Sequence, residues 1–486
     1  MKNNIIGRET EKAILKQAYT SPDPEFIAVY GRRRVGKTHL IREYFGNSIC
    51  FEIIGKHRSS LGEALENFAY SLGKTMNISA PLQKPSSWAQ AFQQLGQFLE
   101  SDLSKKYTEK KVLFFDELPW LNTPRSKFIS GLEHFWNSWC SRQRDIILVV
   151  CGSAASWMIQ NIVKAKGGLH NRLTRQIRLL PFTLPEAKLF LNKHKVNLTP
   201  MQIAELYMAM GGVPHYLKQV EPGLSSTQII DKVCFSSQGS LRDEFEKLYT
   251  SLFENVGTYI NIIKALAKKR NGLSRNEILK SAGLKTGGSA SQRLEELEES
   301  GFIQSYIPYN KNSNDSLYRL SDEYSLFYLD WISPLGKRSP GRGYWASKLN
   351  SPQRRAWAGY TFENLCLKHA PNLKKSLGIA GVETTEAPWY YRPSGDSEVP
   401  GAQIDLLIDR KDNTINICEM KFTEAEFIID SRYSADLRRK IDVFKRVSRT
   451  RKNVFLTMVT TFGIKDNKYS KELVSNSLSL DDIFNI

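Results

Sequence analysis

Gly31-Arg32-Arg33-Arg34-Val35-Gly36-Lys37-Thr38 decides how the first half of this chain folds. It follows a short apolar run, Phe26–Tyr30, and precedes Leu40, Ile41, Tyr44 and Phe45, which recur at helical spacing. A strand, a glycine-bounded turn and a helix in that order make a phosphate cradle, the P-loop. Gly31 and Gly36 let the backbone curl so that its N–H groups face the phosphates, and the helix dipole adds positive potential there. Lys37 reaches the β- and γ-phosphates, and Thr38 supplies a hydroxyl to Mg²⁺. Arg32, Arg33, Arg34, Val35 and His39 complete the expected nucleotide contacts. ATP and Mg²⁺ are the cofactors this pattern implies.

Two further apolar runs, Lys111–Phe115 and Asp145–Cys151, read as buried strands. Strands alternating with helical segments predict an α/β domain built on a parallel sheet with both faces covered. Asp116 directly follows its strand, where a strand end should meet the phosphates, and is the expected Walker B carboxylate holding Mg²⁺. Glu117, next in sequence, is placed to polarise the attacking water. Ser153 ends the third strand and is the candidate sensor of the γ-phosphate. Arg172 is the candidate arginine finger, with Arg175 and Arg178 as rivals.

Composition points to a globular chain with a polyanionic partner. The chain has 486 residues, 41% hydrophobic, with 68 Lys+Arg against 50 Asp+Glu, a formal charge of +18. Such an excess suits nucleic acid, DNA being favoured. The six cysteines are scattered without a CxxC pair, which argues against a disulfide framework or a structural zinc site. No apolar run reaches the roughly 20 residues that span a bilayer, so no membrane partner is expected and a cytoplasmic location is the default. A homo-oligomer stays open.

The organisation expected is a P-loop core over 1–188, a helical lid over 189–245 around Gly211-Gly212-Val213-Pro214, and a winged helix over 246–332. The last comes from short helices marked by Ile262, Leu266, Ile278 and Leu279, then a helix stopped by Gly301 and a hairpin turning at Asn310–Asp315. Glu295, Glu296, Glu298 and Glu299 on its presumed recognition helix disfavour groove reading. That module is therefore also a candidate protein-binding element. A basic linker over 333–353 and a final α/β domain over 354–486 follow.

The stretches IIGRETEKAIL, VYGRRRVGKTHLI, FFDELPWL, CGSAASWM, NRLT and GGVPHYL together resemble the archaeal-type P-loop ATPases, relatives of the AAA+ and STAND classes. The resemblance covers about the first 240 residues. It implies that Gly7-Arg8-Glu9 lies near the adenine, that Gly212 and Pro214 form the lid side of the nucleotide site, and that the nucleotide moves the lid.

Near the C-terminus, Gln403–Ile408 and Thr414–Phe422 read as strands joined by a polar turn. Glu419 and Lys421 are two apart and share one face. If the strands are neighbours, Asp405 sits beside Glu419. Two carboxylates and a lysine suit metal-dependent phosphodiester cleavage, with Mg²⁺ or Mn²⁺ activating water. A helix starting at Gly359-Tyr360-Thr361-Phe362-Glu363-Asn364 completes an arrangement similar to the PD-(D/E)XK nuclease superfamily. That resemblance implies that Glu363 is an auxiliary metal-site acid and that Asp405, Glu419 and Lys421 carry the chemistry. Gln403 departs from the Glu often found before Ile-Asp. A degenerate nuclease kept for binding is the competing reading.

The positive charge concentrates in two places. Trp331–Phe362 holds six basic residues (Lys337, Arg338, Arg342, Lys348, Arg354, Arg355) and no acid, and Asp430–Lys452 holds nine against three acids. In the second, Leu437, Ile441, Phe444 and Val447 define the apolar face, leaving Arg438, Arg439, Lys445 and Arg446 outward for a phosphate backbone. The expected whole is an ATPase whose nucleotide state controls a C-terminal DNA-binding, metal-dependent nuclease domain. The rivals are a non-cleaving ATP-dependent switch and an oligomeric DNA-dependent remodelling motor.

Overall fold

The computed structural model describes residues 4–78, 81–164, 171–253, 255–338, 340–341, 343–393 and 399–485. Arg342, one of the basic residues counted above, lies outside them. The chain divides into two compact units. The first is Met1–Pro181 with Ser251–Glu254 and Glu299–Gly301; the second comprises Phe182–Thr250, Asn255–Glu298 and Phe302–Ile486.

The first unit is built on β1 (Glu25–Tyr30), β2 (Ile49–Ile54), β3 (Lys111–Asp116), β4 (Ile146–Gly152) and β5 (Arg175–Arg178). They form one parallel sheet in the order β2-β3-β4-β1-β5. All six residues of β1 are buried. Phe26, Ala28 and Tyr30 join one apolar cluster and Ile27 and Val29 another. The period of two thus feeds a core on each face, which is why these strands read as unbroken apolar runs. β2 was not legible, because Glu52 interrupts its run and its burial is uneven.

Gly31 is required for a reason beyond curling the loop. It has φ +148°, and a Cβ there would lie 2.2 Å from the Leu179 carbonyl oxygen, just past β5. The turn therefore closes on the neighbouring chain at backbone distance. Gly36, at φ +95°, precedes the helix Lys37–Phe45.

The second unit holds two sheets. The smaller joins β6 (Leu273–Ser274), β7 (Ile303–Tyr306) and β8 (Leu317–Leu320) antiparallel in the order β6-β8-β7, with helices Val256–Lys268, Arg275–Ala282 and Gly288–Glu299. The larger has β9 (Thr384–Tyr391), β10 (Ala402–Arg410), β11 (Thr414–Lys421), β12 (Asn453–Thr460) and β13 (Val474–Leu478) in the order β13-β12-β11-β10-β9. Its β9, β10 and β11 run antiparallel, whereas β11, β12 and β13 run parallel. A parallel step needs a crossover, and the helix Ser431–Ser448 supplies it between β11 and β12.

The segment read as a linker is packed. Trp345 is fully buried, edge-on to Trp331, Trp357 and Phe327 and stacked near Phe235. Its backbone N–H donates to Asp231 Oδ1 at 2.7 Å. Arg354, counted among the basic residues above, lies 4.7 Å over the Trp345 ring and pairs with Glu205 at 2.9 Å. The following helix starts at Pro352, seven residues before the Gly359 expected. Ser351 caps it by accepting from the Arg354 N–H, with proline at its first position. Composition alone hid this, since Pro, Gly and Ser serve both in linkers and in caps.

Candidate functional site

The candidate nucleotide site lies at the C-terminal ends of β1, β3 and β4, where an open parallel sheet places its ligands. β4 separates β1 from β3, so the helix after β1 and the end of β3 must reach across it. They do: the Thr38 hydroxyl donates to Asp116 Oδ2 at 2.7 Å. Lys37, buried, folds back and donates to the Gly31 and Arg32 carbonyls at 2.9 and 3.0 Å. Gly36 offers no side-chain cap, so the first N–H groups of the helix Lys37–Phe45 are open to an anion.

Asp116 is 3% exposed. Burial pushes its carboxyl above the ordinary range, opposed by the Thr38 hydrogen bond. Its Oδ1 accepts the Glu117 N–H at 3.0 Å. Glu117 adopts left-handed φ/ψ of 48° and 48°, unusual for a non-glycine residue and a mark of stored strain at a site. Its Oε2 accepts from Ser153 twice, from the hydroxyl at 2.7 Å and from the N–H at 3.2 Å. The expected sensor thus holds the expected water-polarising group. Cys151, fully buried on the neighbouring β4, acts on Asp116 from the side; nothing in its spacing announced that contact.

The oxygen donors of Thr38 and Asp116 fit Mg²⁺, which takes one or two protein oxygens plus phosphates and waters. Arg8 has φ 61° and is 5% exposed; it donates to Leu180 O at 2.7 Å and Val35 O at 3.3 Å. It therefore braces the loop backbone beside Val35. Arg32 and Val35 are buried, Arg33 is half-buried, and Arg34 and His39 are exposed. Of the arginine candidates, Arg175 pairs with Glu25 at 3.4 Å and Arg178 with Glu299 at 3.2 Å, whereas Arg172 is exposed in the loop before β5. Pro214 begins the short helix Pro214–Leu217 of the second unit.

The C-terminal acidic site forms where β10 and β11 pair antiparallel. Leu406 opposes Cys418, which puts Asp405 and Glu419 at the same end of the two strands. Asp405 Oδ2 accepts the Met420 N–H at 2.9 Å. Glu419 is fully buried. Burial and the Asp405 charge both hold Glu419 above the ordinary carboxylate range, and the same two causes raise Glu363 on the helix Pro352–Lys368. Lys421 Nζ lies 3.8 Å from Glu419 Oε2.

Among the described residues, no group of three or more His, Cys, Asp or Glu side chains is gathered to hold a metal ion. Glu363, Asp405 and Glu419 are nonetheless close enough for the Asp405 charge to raise both of the other carboxyls. An unforeseen cation shares the site: Lys440, on the helix Ser431–Ser448, donates to Glu419 Oε2 at 2.7 Å. The Tyr433 hydroxyl approaches the same oxygen at 3.4 Å. Glu419 Oε1 is buried with no hydrogen-bond partner among the described residues. One oxygen therefore fits a hard cation that keeps its own waters, while the other is taken. Lys440 lies three residues from Leu437 and four from Phe444, so its place at the edge of the apolar face was readable; its partner was not.

A parallel sheet in this order, with Lys37, Thr38 and Asp116 at its strand ends, defines a P-loop NTPase fold. Residues 6–220 match a family model described as an ATPase domain predominantly from Archaea. The chain is 23% identical over 439 residues to the uncharacterized protein MJECL04 of Methanocaldococcus jannaschii, covering 90% of this chain and 91% of that protein. Among solved structures it is similar to the Walker-type ATPase PABY2304 of Pyrococcus abyssi, with TM-score 0.47, 18% identity, and 68% and 97% of the two chains covered. It is also similar to the Aeropyrum pernix ORC2 protein, with TM-score 0.43, 12% identity, and 69% and 96% covered. Among the described residues, no helix is long and apolar enough to cross a membrane.

Proposed function

We propose that this protein hydrolyses ATP at the Lys37–Thr38–Asp116 site and that its nucleotide state controls a C-terminal domain that binds DNA. The contact between Thr38 and Asp116 carries the first part, because it unites the two metal-side groups of a P-loop across an intervening strand. Lys37 would neutralise the β- and γ-phosphates, and Mg²⁺ bound beside Thr38 and Asp116 would offset charge developing on the transferred phosphoryl group. Glu117, aimed by Ser153, would orient the attacking water. Arg172 is the exposed arginine that could serve as a finger, from this chain or from a second copy.

The second part draws on charge. Arg438, Arg439, Lys445 and Arg446 are exposed on one helix above the acidic site, as a phosphate-contacting face requires. Three helices with the β6-β8-β7 sheet, β6 lying between the first two helices, support reading 246–332 as a winged helix. Asp405, Glu419 and Lys421 meeting at one strand end support the further reading of a phosphodiesterase of the PD-(D/E)XK kind, using Mg²⁺ or Mn²⁺.

ATP turnover measured with and without DNA, in wild type and Lys37→Ala, tests the ATPase and its coupling. Turnover surviving Lys37→Ala would refute the assigned site, and turnover indifferent to DNA would refute the coupling. For cleavage, plasmid and linear DNA are incubated with Mg²⁺ or Mn²⁺. Equal cutting by Asp405→Ala and wild type would remove the C-terminal assignment, and no cutting in any nucleotide state would leave binding alone.

A further inference from the structure

The site at Glu419 holds its own cation. Three polar groups reach this carboxylate, and all three lie at the same one of its two oxygens. Lys440 Nζ at 2.7 Å, Tyr433 Oη at 3.4 Å and Lys421 Nζ at 3.8 Å all converge on Oε2. Oε1 is buried and accepts no hydrogen bond among the described residues, with Asp405 at the adjoining strand end. Lys440 is enclosed, its side chain 15% exposed, with a second acid, Asp436, at 4.0 Å. A fully buried carboxylate needs a counter-charge, and here an ammonium from the neighbouring helix provides it.

We propose that Lys440 stands in for the divalent cation at Glu419, so that metal and Lys440 compete for this carboxylate and a nucleic-acid phosphate, by drawing Lys440 away, opens the site to metal. This rests on the nuclease-like reading of Asp405 and Glu419 and deepens it: substrate and metal would bind cooperatively. The position of Lys440 favours such an exchange. Arg439, the next residue on the same helix and exposed, is little more than a quarter-turn away, so a phosphate bound there lies beside the ammonium. Lys440 also lines a small cavity of about 360 Å³ with Arg392 and Arg439, so three cations there face an incoming phosphate. An ammonium on a flexible four-carbon stem can shift toward that phosphate; a guanidinium fork would be held by more contacts. By reciprocity, whatever factor metal gains from nucleic acid, nucleic acid gains from metal.

The test is Mn²⁺ binding to the full chain, followed by the magnetic resonance signal of free Mn²⁺, with no turnover required. ATP is omitted, and Asp116→Asn is the common background so that the nucleotide site does not contribute. Lys440→Gln should bind Mn²⁺ about tenfold tighter than this background, within the range of ordinary coupling energies. A non-hydrolysable phosphorothioate oligonucleotide should tighten Mn²⁺ binding in the background and not in Lys440→Gln. Arg438→Gln removes one charge from the same helix without touching Glu419, since Arg438 pairs with Glu472. If Arg438→Gln and Lys440→Gln shift Mn²⁺ affinity equally, the effect is only the general field and the proposal falls. It falls too if Lys440→Gln binds Mn²⁺ as weakly as its background. Should Lys440→Gln fold poorly, Lys440→Met and the Mn²⁺-induced rise in its melting temperature give the same comparison. Tighter Mn²⁺ binding without DNA cleavage would uphold this inference and sink the nuclease. Cleavage by wild type with unchanged Mn²⁺ affinity in Lys440→Gln would do the reverse.

Discussion

Thr38 and Asp116, 78 positions apart, meet through a 2.7 Å hydrogen bond from the Thr38 hydroxyl to Asp116 Oδ2. Neither residue is distinctive alone. Their contact across β4 turns a glycine-rich turn and an apolar strand into one site, and its members should respond differently to substitution.

Lys37→Ala should weaken ATP binding at least about tenfold, because one buried positive charge on the phosphates is lost. Asp116→Asn should retain binding and lower turnover by about a hundredfold, because it acts on transition-state charge through the metal. Binding of a fluorescent ATP analogue and steady-state phosphate release separate the two effects. Equal loss of binding in both variants would contradict this division.

Ser153→Ala should lower kcat about tenfold with KM unchanged. Ser153 holds Glu117 through its hydroxyl at 2.7 Å, so its removal leaves the nucleotide contacts in place and loosens only the group that orients water. Ser153→Thr, which keeps the hydroxyl, should recover most of the rate. A raised KM in Ser153→Ala would place Ser153 on the nucleotide instead.

His369 should make stability fall in mild acid. It is buried in the second unit, where its Nε2 accepts the Leu184 N–H at 2.8 Å and its Nδ1 lies 2.8 Å from Leu365 O. Burial pushes its pKa down to about 4. Between that value and the ordinary 6.5 the unfolded chain binds a proton that the folded one does not, so stability rises with pH across this window and is lost as pH falls through it. At about 1.4 kcal/mol per unit, this amounts to about 3 kcal/mol. Urea unfolding at a series of pH values from 4 to 7 should show a flatter dependence for His369→Gln than for wild type.

Trp345→Ala should destabilise the second unit by about 3–5 kcal/mol, the usual range for deleting a buried large aromatic. A true linker residue would change stability by less than about 0.5 kcal/mol. The unfolding midpoint of the full chain distinguishes the two values.

Legibility followed the range of the interaction. β1, β3 and β4 were readable because both faces of each strand are covered, which leaves an unbroken apolar run in the sequence. The Asp405–Glu419 neighbourhood was readable because only a short turn separates β10 from β11. β2 was missed because its partner β3 begins more than fifty residues later and Glu52 breaks its pattern. Trp345 was missed because a lone aromatic in a Pro-, Gly- and Ser-rich stretch carries no period.

The amino-acid order by itself determined the phosphate cradle, since Gly31, Gly36, Lys37 and Thr38 act within one turn of backbone and need only the strand before and the helix after. It also determined which acids stand at strand ends. Only the tertiary structure decided what those acids touch: Ser153 on Glu117, Thr38 on Asp116 and Lys440 on Glu419. Periodicity says which face of an element is buried, whereas the charge waiting on the opposing element is set by packing between distant segments.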